Sequence, residues 1–274
     1  MKGSLFLIPS PIGNLKEVSP RVLETISICD YIACEDTRNT NKLLSLLNLK
    51  KKTISCHEHN EIESSINIVK DIIEGKTVGY LSDAGYPCIS DPGYNLVKEC
   101  LKYDIQITPL SGPNAFLNAL VASGIDPSKF LFYGFLKSKE SERIQELENL
   151  KEVRNTLVFY EAPHRIYDTL NNLYDVFKDR KICIARELTK IHEEFIRTTL
   201  KDILDSKREI IGEIVLVVEG NKQDEESLSI EQIKDDVLLN IYKDAGLETK
   251  GQGIVFSLPV EDMMGLNINE EETK

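Results

Sequence analysis

The 274-residue chain has 41% hydrophobic and 28% charged residues and a formal net charge of −12, a composition that supports one large or two ordinary domains and excludes collagen-like and fully disordered chains. The first apolar run reaches Pro9 after only Leu5–Ile8, too short for a signal-peptide core, and no later run approaches membrane-spanning length. Six cysteines without CxxC spacing favour a reduced, cytoplasmic protein over a disulfide framework.

The alternation of short β-rich runs with amphipathic segments predicts an α/β fold with mainly parallel sheets. The predicted strands are Leu5–Ile8, Tyr31–Cys34, Val78–Leu81, Gln106–Thr108, Phe130–Gly134, Thr156–Tyr160, Ile182–Ala185 and Ile214–Val218. The predicted helices are Pro20–Cys29, Thr40–Leu47, Glu63–Glu74, Tyr94–Tyr103, Asn114–Ala122, Glu140–Val153, His164–Phe177 and Leu200–Asp205. A turn cluster at 123–127 predicts one α/β domain over residues 1–122 and a second over 123–222.

An acidic tail is predicted at 223–274. Residues 221–274 hold 5 Lys and 13 acidic residues, so the first 220 residues are close to neutral and can still present a basic face to a nucleic acid. The tail contains a predicted helix, Ile230–Lys243, and a strand-like run, GQGIVFSLPVEDMM. This run is interpreted either as an element that pairs with a sheet edge or as an extension without such a role.

The loop PSPIGNL follows the first predicted strand and has one glycine where a dinucleotide fingerprint has three. Its prolines predict a stiff loop that offers backbone carbonyls to a ligand, and the alternative is a plain turn.

The stretch LSDAGYPCISDPG contains more turn-forming residues than one strand-to-helix connection needs. Gly85 allows close approach of a ligand to the backbone, Asp83 can accept hydrogen bonds from it, and Asp91-Pro-Gly is interpreted as a helix cap. SGPNA shows the same pattern after the next predicted strand: a strand, a turn and a proline that opens a helix.

Charged residues follow several other predicted strands. Glu35, Asp36 and Arg38 form either an ionic network that presents the arginine to phosphate or an N-cap by Asp36 or Thr37. The HEHN segment does not predict a metal site, because two histidines at i, i+2 point to opposite faces of a strand. In the second half, Glu161, Arg165, Arg186 and Glu187 form either structural ion pairs or a site at one sheet edge, and their clustering favours the site.

Taken together, PSPIGNL, CEDTRNTNKLL, HEHN, LSDAGYPCISDPG, LSGPNA, FLFYGFL, FYEAPHR and the Arg-Glu-Leu run resemble the ribosomal RNA small subunit methyltransferase I family, over residues 4 to about 220. That family belongs to the tetrapyrrole-methylase-like class of S-adenosyl-L-methionine enzymes. The resemblance implies two α/β domains with the methyl donor in the cleft between them, usually in a homodimer. It also implies 2′-O-methylation of a cytidine ribose in the decoding region of 16S rRNA, with either the free rRNA or the assembled 30S subunit as the substrate.

The resemblance also implies site residues. For the donor they are Pro11, Ile12, Gly13, Asp83, Gly85, Tyr86, Pro113, Asn114, Ala115, Tyr160 and Ala162. Beyond the resemblance, the chemistry of the displacement makes Glu161, Asp36, Glu35 and His59 candidates for a base that takes the hydroxyl proton, with Glu161 preferred. Candidate phosphate contacts are Arg38, Lys50, Lys51, Lys52, Arg165 and Arg186. No metal is expected. Two alternatives stay open, namely a small-molecule methylase of the same class, acting on a tetrapyrrole-type ring, and a ribosome assembly factor without catalysis.

Overall fold

The computed structural model describes residues 3–222, so the predicted helix and strand of the tail lie outside the described residues. The strands are β1 Ser4–Ile8, β2 Tyr31–Cys34, β3 Lys52–Ser55, β4 Val78–Leu81, β5 Gln106–Pro109, β6 Phe130–Phe135, β7 Thr156–Glu161, β8 Lys181–Arg186, β9 Glu194–Thr199 and β10 Ile214–Val218. The helices are α1 Pro20–Ile28, α2 Thr37–Leu46, α3 Glu61–Ile73, α4 Tyr94–Leu101, α5 Ala115–Ala122, α6 Glu140–Leu150, α7 Ile166–Phe177 and α8 Leu200–Ser206.

The first sheet has the strand order β3-β2-β4-β1-β5, and all its strands are parallel. Its inner strands read as continuous apolar runs because both faces are covered. Buried residues of α3 and α4, among them Ile68 and Leu96, pack on one face, and Val22 and Ile26 of α1 pack on the other. The carboxyl ends of the parallel strands therefore meet at one edge, which is where the candidate site lies.

The second sheet has the order β6-β7-β10-β8-β9, and β6 with β7 is its only parallel pairing among the described residues. The expectation of mainly parallel sheets is wrong here. The strand β10 runs antiparallel between β7 and β8 and is buried along its whole length. An antiparallel strand that is covered on both faces carries the same unbroken apolar pattern as a parallel one, so the pattern does not distinguish them.

Helix α5 packs on the second sheet, although it directly follows the last strand of the first. Its residues Ala119 and Leu120 share a buried cluster with Val158 and Val217, and Ile12 from the first loop joins the same cluster. The two sheets are thus joined by apolar contacts as well as by chain connection. The domain division at 122/123 stays a prediction.

Within residues 3–222, no helix is both long enough and apolar enough to cross a bilayer. All six cysteines are free thiols; five are buried and Cys88 is half-buried.

Candidate active site

Three loops at the carboxyl edge of the first sheet are joined by hydrogen bonds. Ser10 and Gly85 exchange two hydrogen bonds, N–H to O, of 2.9 and 3.1 Å, and the Gly112 N–H donates to the Tyr86 hydroxyl oxygen at 2.9 Å. Gly85 has φ of +72°, a conformation in which other residues are strained. A Cβ on Gly112 would lie 2.4 Å from Cγ of Pro9, so only glycine allows this approach. The turn chemistry of PSPIGNL, LSDAGYP and SGPNA therefore builds one rigid wall.

A cavity of about 400 Å³ lies between this wall and the facing edge of the second sheet. Seven of the eleven residues predicted to bind the donor line it: Ile12, Gly85, Tyr86, Asn114, Ala115, Tyr160 and Ala162. The other four, Pro11, Gly13, Asp83 and Pro113, are not part of its lining. Asp83 is exposed and accepts a hydrogen bond from Asn39 Nδ2 at 2.7 Å, so it ties the loop to α2.

Sequence reasoning missed most of the second-sheet wall. Phe135 ends β6, Leu188 follows β8, and Ile214 and Val215 begin β10. Because these side chains are apolar and lie in or beside strands, they look like ordinary core residues in the sequence. Once the topology is known, these residues can be identified as cavity lining because they lie at strand ends that face the LSDAGYP loop. The lining as a whole is mostly apolar, with a few polar groups, as in small-molecule sites of this size.

Asp91 also lines the cavity, and the interpretation of Asp91 as a helix cap is wrong. Gly93 is the N-cap of α4, and the side-chain acceptor at this end is Glu61 of α3. Oε1 of Glu61 accepts from the backbone N–H groups of Gly93 and Asn95, both at 2.8 Å. The Asp91 carboxyl makes no hydrogen bond within residues 3–222.

Burial raises the pKa of Asp91 to about 6, with further contributions from the carboxylates of Glu35 and Asp83. The pKa of Glu35 is itself raised by burial, by Asp83 and by Glu58. This side of the cavity therefore disfavours additional negative charge and favours a bound cation.

We expect the Asp91 carboxyl to make stability depend on pH. Its pKa is higher in the folded than in the unfolded chain, so the native state binds the proton more tightly, and the stability this provides is present below about pH 4 and lost as the pH rises through about 6. Asp91→Asn should therefore melt at a higher temperature than the wild type at pH 7–8, with the difference closing toward pH 4. Thermal melts from pH 4 to 8 test this, with Asp175→Asn as the exposed control. A difference that is independent of pH would contradict it.

The carboxylate of Glu161 is completely buried, and both of its oxygens are occupied. Oε1 accepts from Arg165 Nε and Nη2 at 2.9 and 2.7 Å and from the Ala162 N–H at 2.7 Å, while Oε2 accepts from Thr169 Oγ1 at 2.5 Å. Arg165 Nη1 in turn donates to Ser138 Oγ at 2.8 Å. This network fixes the end of β7 to the loop before α6. Glu161 as a base stays a prediction, and its saturated oxygens do not favour it.

The Arg-Glu-Leu run after β8 is also engaged in ion pairs. Arg186 Nε contacts Glu194 Oε2 at 2.8 Å. Glu187 accepts from the backbone N–H of Glu213 and from Lys190 Nζ, contacts that hold the pKa of its carboxyl below the usual range. Arg165 and Arg186 thus lie at the predicted edge, but both guanidinium groups contact protein acceptors.

On the first sheet, the predicted cations fall on two different edges. Asp36 caps α2 through a hydrogen bond from the Arg38 N–H, which confirms the capping interpretation, and its carboxylate also pairs with the exposed Arg38 guanidinium. Arg38 lies on the cavity side, because it follows the carboxyl end of β2. Lys50 and Lys52 lie at the opposite, amino end of β3, and Lys51 donates to the carbonyls of Ser27 and Cys29 at the end of α1. The six predicted phosphate contacts are therefore not brought together.

The HEHN segment forms a turn between β3 and α3 rather than part of a strand. The rings of His57 and His59 meet edge to face with centroids 5.9 Å apart, and His59 is exposed. In the part of the chain that the structure describes, no three His, Cys, Asp or Glu side chains are placed to hold a metal ion.

Residues 4–204 match the sequence model of the tetrapyrrole (corrin/porphyrin) methylases, so the chain is a methylase of this class. Solved structures agree in fold: the methyltransferase CobJ (17% identity, TM-score 0.60, covering 80% of this chain and 94% of that one) and uroporphyrin-III C-methyltransferase from Thermus thermophilus complexed with S-adenyl homocysteine (15%, 0.57, 79% and 97%). The predicted α/β fold of tetrapyrrole methylase type is confirmed.

Relatives with much higher identity define the family. Proteins called ribosomal RNA small subunit methyltransferase I from Halalkalibacterium halodurans and Bacillus subtilis are 46% and 44% identical to this chain, over 80% and 81% of its length and 77% of theirs. The chain belongs to the ribosomal RNA small subunit methyltransferase I family. The resemblance seen in the sequence motifs is confirmed, and so is the methyl donor of the class, S-adenosyl-L-methionine.

The cavity fits such a donor. It has the volume of a small-molecule site, apolar walls from both sheets, and the rings of Phe135 and Tyr160, with centroids 5.4 Å apart, suited to contact with a purine. Its carboxyl-rich side suits the positive charge that a sulfonium carries.

Proposed function

We propose that the protein transfers the methyl group of S-adenosyl-L-methionine to the 2′ oxygen of a cytidine ribose in the decoding region of 16S rRNA. The observation that carries the proposal is the 46% identity to a ribosomal RNA small subunit methyltransferase I across 222 residues, a length that spans both walls of the cavity. The mostly apolar cavity at the junction of the sheets gives independent support for a donor site.

The donor supplies an activated methyl group on a positively charged sulfur. In this proposal the seven predicted donor residues that line the cavity bind it, and the apolar side chains of Ile12, Ile214 and Val215 keep water away from the reacting centre. The chain then has to hold the ribose oxygen about 3–3.5 Å from the methyl carbon, and this positioning alone supplies a large part of the rate.

The RNA backbone is proposed to contact the cavity side of the first sheet through Arg38. Its side chain is 89% exposed, and its pair with Asp36 is the kind of surface ion pair that contributes little to stability. A phosphate can therefore replace or share this partner at small cost. Lys50 and Lys52 are exposed as well, but they lie at the other end of β3.

We expect Arg38→Ala to weaken binding of the substrate RNA and to lower the slope of log K against log salt by about one unit, since one phosphate contact is lost. Lys50→Ala should leave both quantities unchanged if the RNA enters on the cavity side. Filter binding of each variant at several salt concentrations measures this. A larger loss for Lys50→Ala than for Arg38→Ala would place the RNA on the opposite edge.

The proposed reaction is tested by incubating the protein with labelled S-adenosyl-L-methionine and unmodified 30S subunits and then mapping the label to a nucleotide and an atom. Label on the 2′ oxygen of a decoding-site cytidine is expected. Free 16S rRNA in parallel tells whether the assembled subunit is the substrate. Label on another atom or nucleotide would overturn the cytidine assignment, and label only on an added tetrapyrrole would favour the small-molecule alternative.

Two further parts of the proposal are a cytoplasmic location and a homodimer. A 30S substrate requires the first. Sedimentation of the full chain tests the second, where a mass near twice 31.0 kDa is expected.

A further inference from the structure

Three carboxyl side chains belong to residues of the cavity wall, and two of them are already engaged. Glu161 accepts from Arg165, Thr169 and a backbone N–H, and Oε2 of Glu213 pairs with Lys190 Nζ at 3.0 Å. Asp91 differs, because its oxygens have no donor among residues 3–222. Of the three carboxyl groups that line the cavity, Asp91 can therefore accept a proton from a bound molecule without first breaking a protein contact.

The loop around Asp91 is held firmly in place. Cys88 adopts φ of +69° and its N–H donates to the Pro92 carbonyl at 3.3 Å, so residues 88–92 form a closed turn. Glu61 fixes the backbone at Gly93, directly after this turn. Backbone strain of this kind is typical of functional sites, and the closed turn fixes the backbone that carries Asp91.

Asp91 faces the second wall as well as its own. Burial raises the pKa of the Tyr160 hydroxyl to about 12, and the negative charge of Asp91 contributes to this rise. The groups whose charge acts on or is acted on by Asp91 are thus Glu35 and Asp83 on its own side, Cys88 in its turn and Tyr160 opposite. Burial first, and then the negative charges of Glu35 and Asp83, raise the pKa of Asp91 to about 6, and a base is most effective when its pKa is near the working pH.

We propose that the Asp91 carboxylate is the general base of the methyl transfer. This proposal rests on the proposed function. The lone pair of the ribose hydroxyl oxygen forms a bond to the methyl carbon, the carbon–sulfur bond breaks, and its electron pair stays on sulfur, which becomes a neutral thioether. The hydroxyl proton passes to the Asp91 carboxylate, which releases it to solvent after the product leaves.

This assignment differs from the four candidate bases named from the sequence. Asp36 caps α2 and pairs with Arg38, and Glu161 is saturated with donors. Neither Glu35 nor His59 is part of the cavity lining. Asp91 unites a place on the wall with an unengaged carboxyl group.

The test is the single-turnover rate of methyl transfer to 30S subunits, measured from pH 5 to 9 for the wild type, Asp91→Asn, Asp91→Glu and the exposed control Asp175→Asn. Calorimetry with S-adenosylhomocysteine reports donor-site integrity for each variant. We expect Asp91→Asn to lose about 10²–10⁴-fold in methyl-transfer rate, while its affinity for S-adenosylhomocysteine stays within about threefold of the wild type. The wild-type rate should decline as acid protonates Asp91, at a pH of about 6 or lower because the positive charge of the bound sulfonium favours the ionised carboxylate. Asp91→Asn should not show this decline at acidic pH, and its rate should rise as the hydroxide concentration increases. Asp91→Glu should restore the decline at acidic pH in part.

The outcomes separate the two proposals. No transfer by the wild type to either 30S subunits or free 16S rRNA would overturn the proposed function and, with it, this assignment. If Asp91→Asn transferred the methyl group at a rate similar to the wild type and with the same loss of rate at acidic pH, the assignment of Asp91 would be overturned and the proposed function would stand. Equal losses of rate and of S-adenosylhomocysteine affinity in Asp91→Asn would also overturn it, because the carboxylate would then serve donor binding.

Discussion

Replacing Glu161 by alanine is expected to lower the free energy of unfolding by about 3–5 kcal/mol. The glutamate side chain is fully buried and Arg165 is only 15% exposed, so removing the carboxylate leaves a guanidinium in the protein without its counter-charge. It also leaves the Thr169 hydroxyl and the Ala162 N–H without their acceptor. Urea denaturation measures the effect as a lower midpoint with an unchanged m-value. Glu24→Ala, an exposed position on α1, is the control and should change stability by less than about 0.5 kcal/mol.

The same substitution distinguishes a holding role from a catalytic one. If Glu161 holds Arg165 and the β7 loop, the double variant Glu161→Leu with Arg165→Met should recover much of the lost stability, because apolar replacement of a buried pair is often close to neutral. If Glu161 is the base, Glu161→Gln should instead retain stability and donor affinity while losing the methyl-transfer rate and the acidic limb of its pH profile. That second pattern would contradict both the holding role and the assignment of Asp91.

The elements of the fold were largely predictable, because each inner strand is a short apolar run between turn residues. Two strands were not. The edge strands β3 and β9 carry Lys, Ser, Arg and Thr on half-exposed faces, so their sequences lack an apolar signal. Their place in the sheets comes from backbone pairing with β2 and β8, a tertiary property that local sequence does not encode.

The candidate site was predictable where its function depends on backbone shape. Glycine, proline and asparagine in PSPIGNL, LSDAGYP and SGPNA are chosen for turn geometry, and these loops do form the first wall. Side-chain roles were harder to predict. Asp91 stands in a sequence, Asp-Pro-Gly, that is equally suited to a cap, and only the carboxylate of Glu61, thirty residues earlier in the chain, shows that the cap is supplied from elsewhere. Likewise, the direction in which the Arg165 guanidinium points follows from a buried partner, and spacing in the sequence does not reveal it.

Glu61→Ala is expected to destabilise the protein by about 3 kcal/mol, although Glu61 does not line the cavity. Its carboxylate is buried and satisfies the N–H groups of Gly93 and Asn95 as well as Asn95 Nδ2. Each buried donor left without an acceptor costs about 1–3 kcal/mol. Since Asp91 lies two residues before Gly93, the loop that carries it should loosen as well, and donor affinity should fall by about tenfold, or about 1.4 kcal/mol.

Glu63, two residues after Glu61 on the same helix, is a matched control. Glu63 is exposed in the first turn of α3, so Glu63→Ala removes the same charge from the same helix end without touching the loop. Denaturation and calorimetry with S-adenosylhomocysteine on both variants separate the helix-end charge from the cap. If Glu61→Ala lost stability but kept full donor affinity, the turn at 88–92 would hold its shape without the anchor at Gly93. The position of Asp91 would then depend on the turn alone, that is, on the Cys88–Pro92 hydrogen bond and on the backbone strain at Cys88.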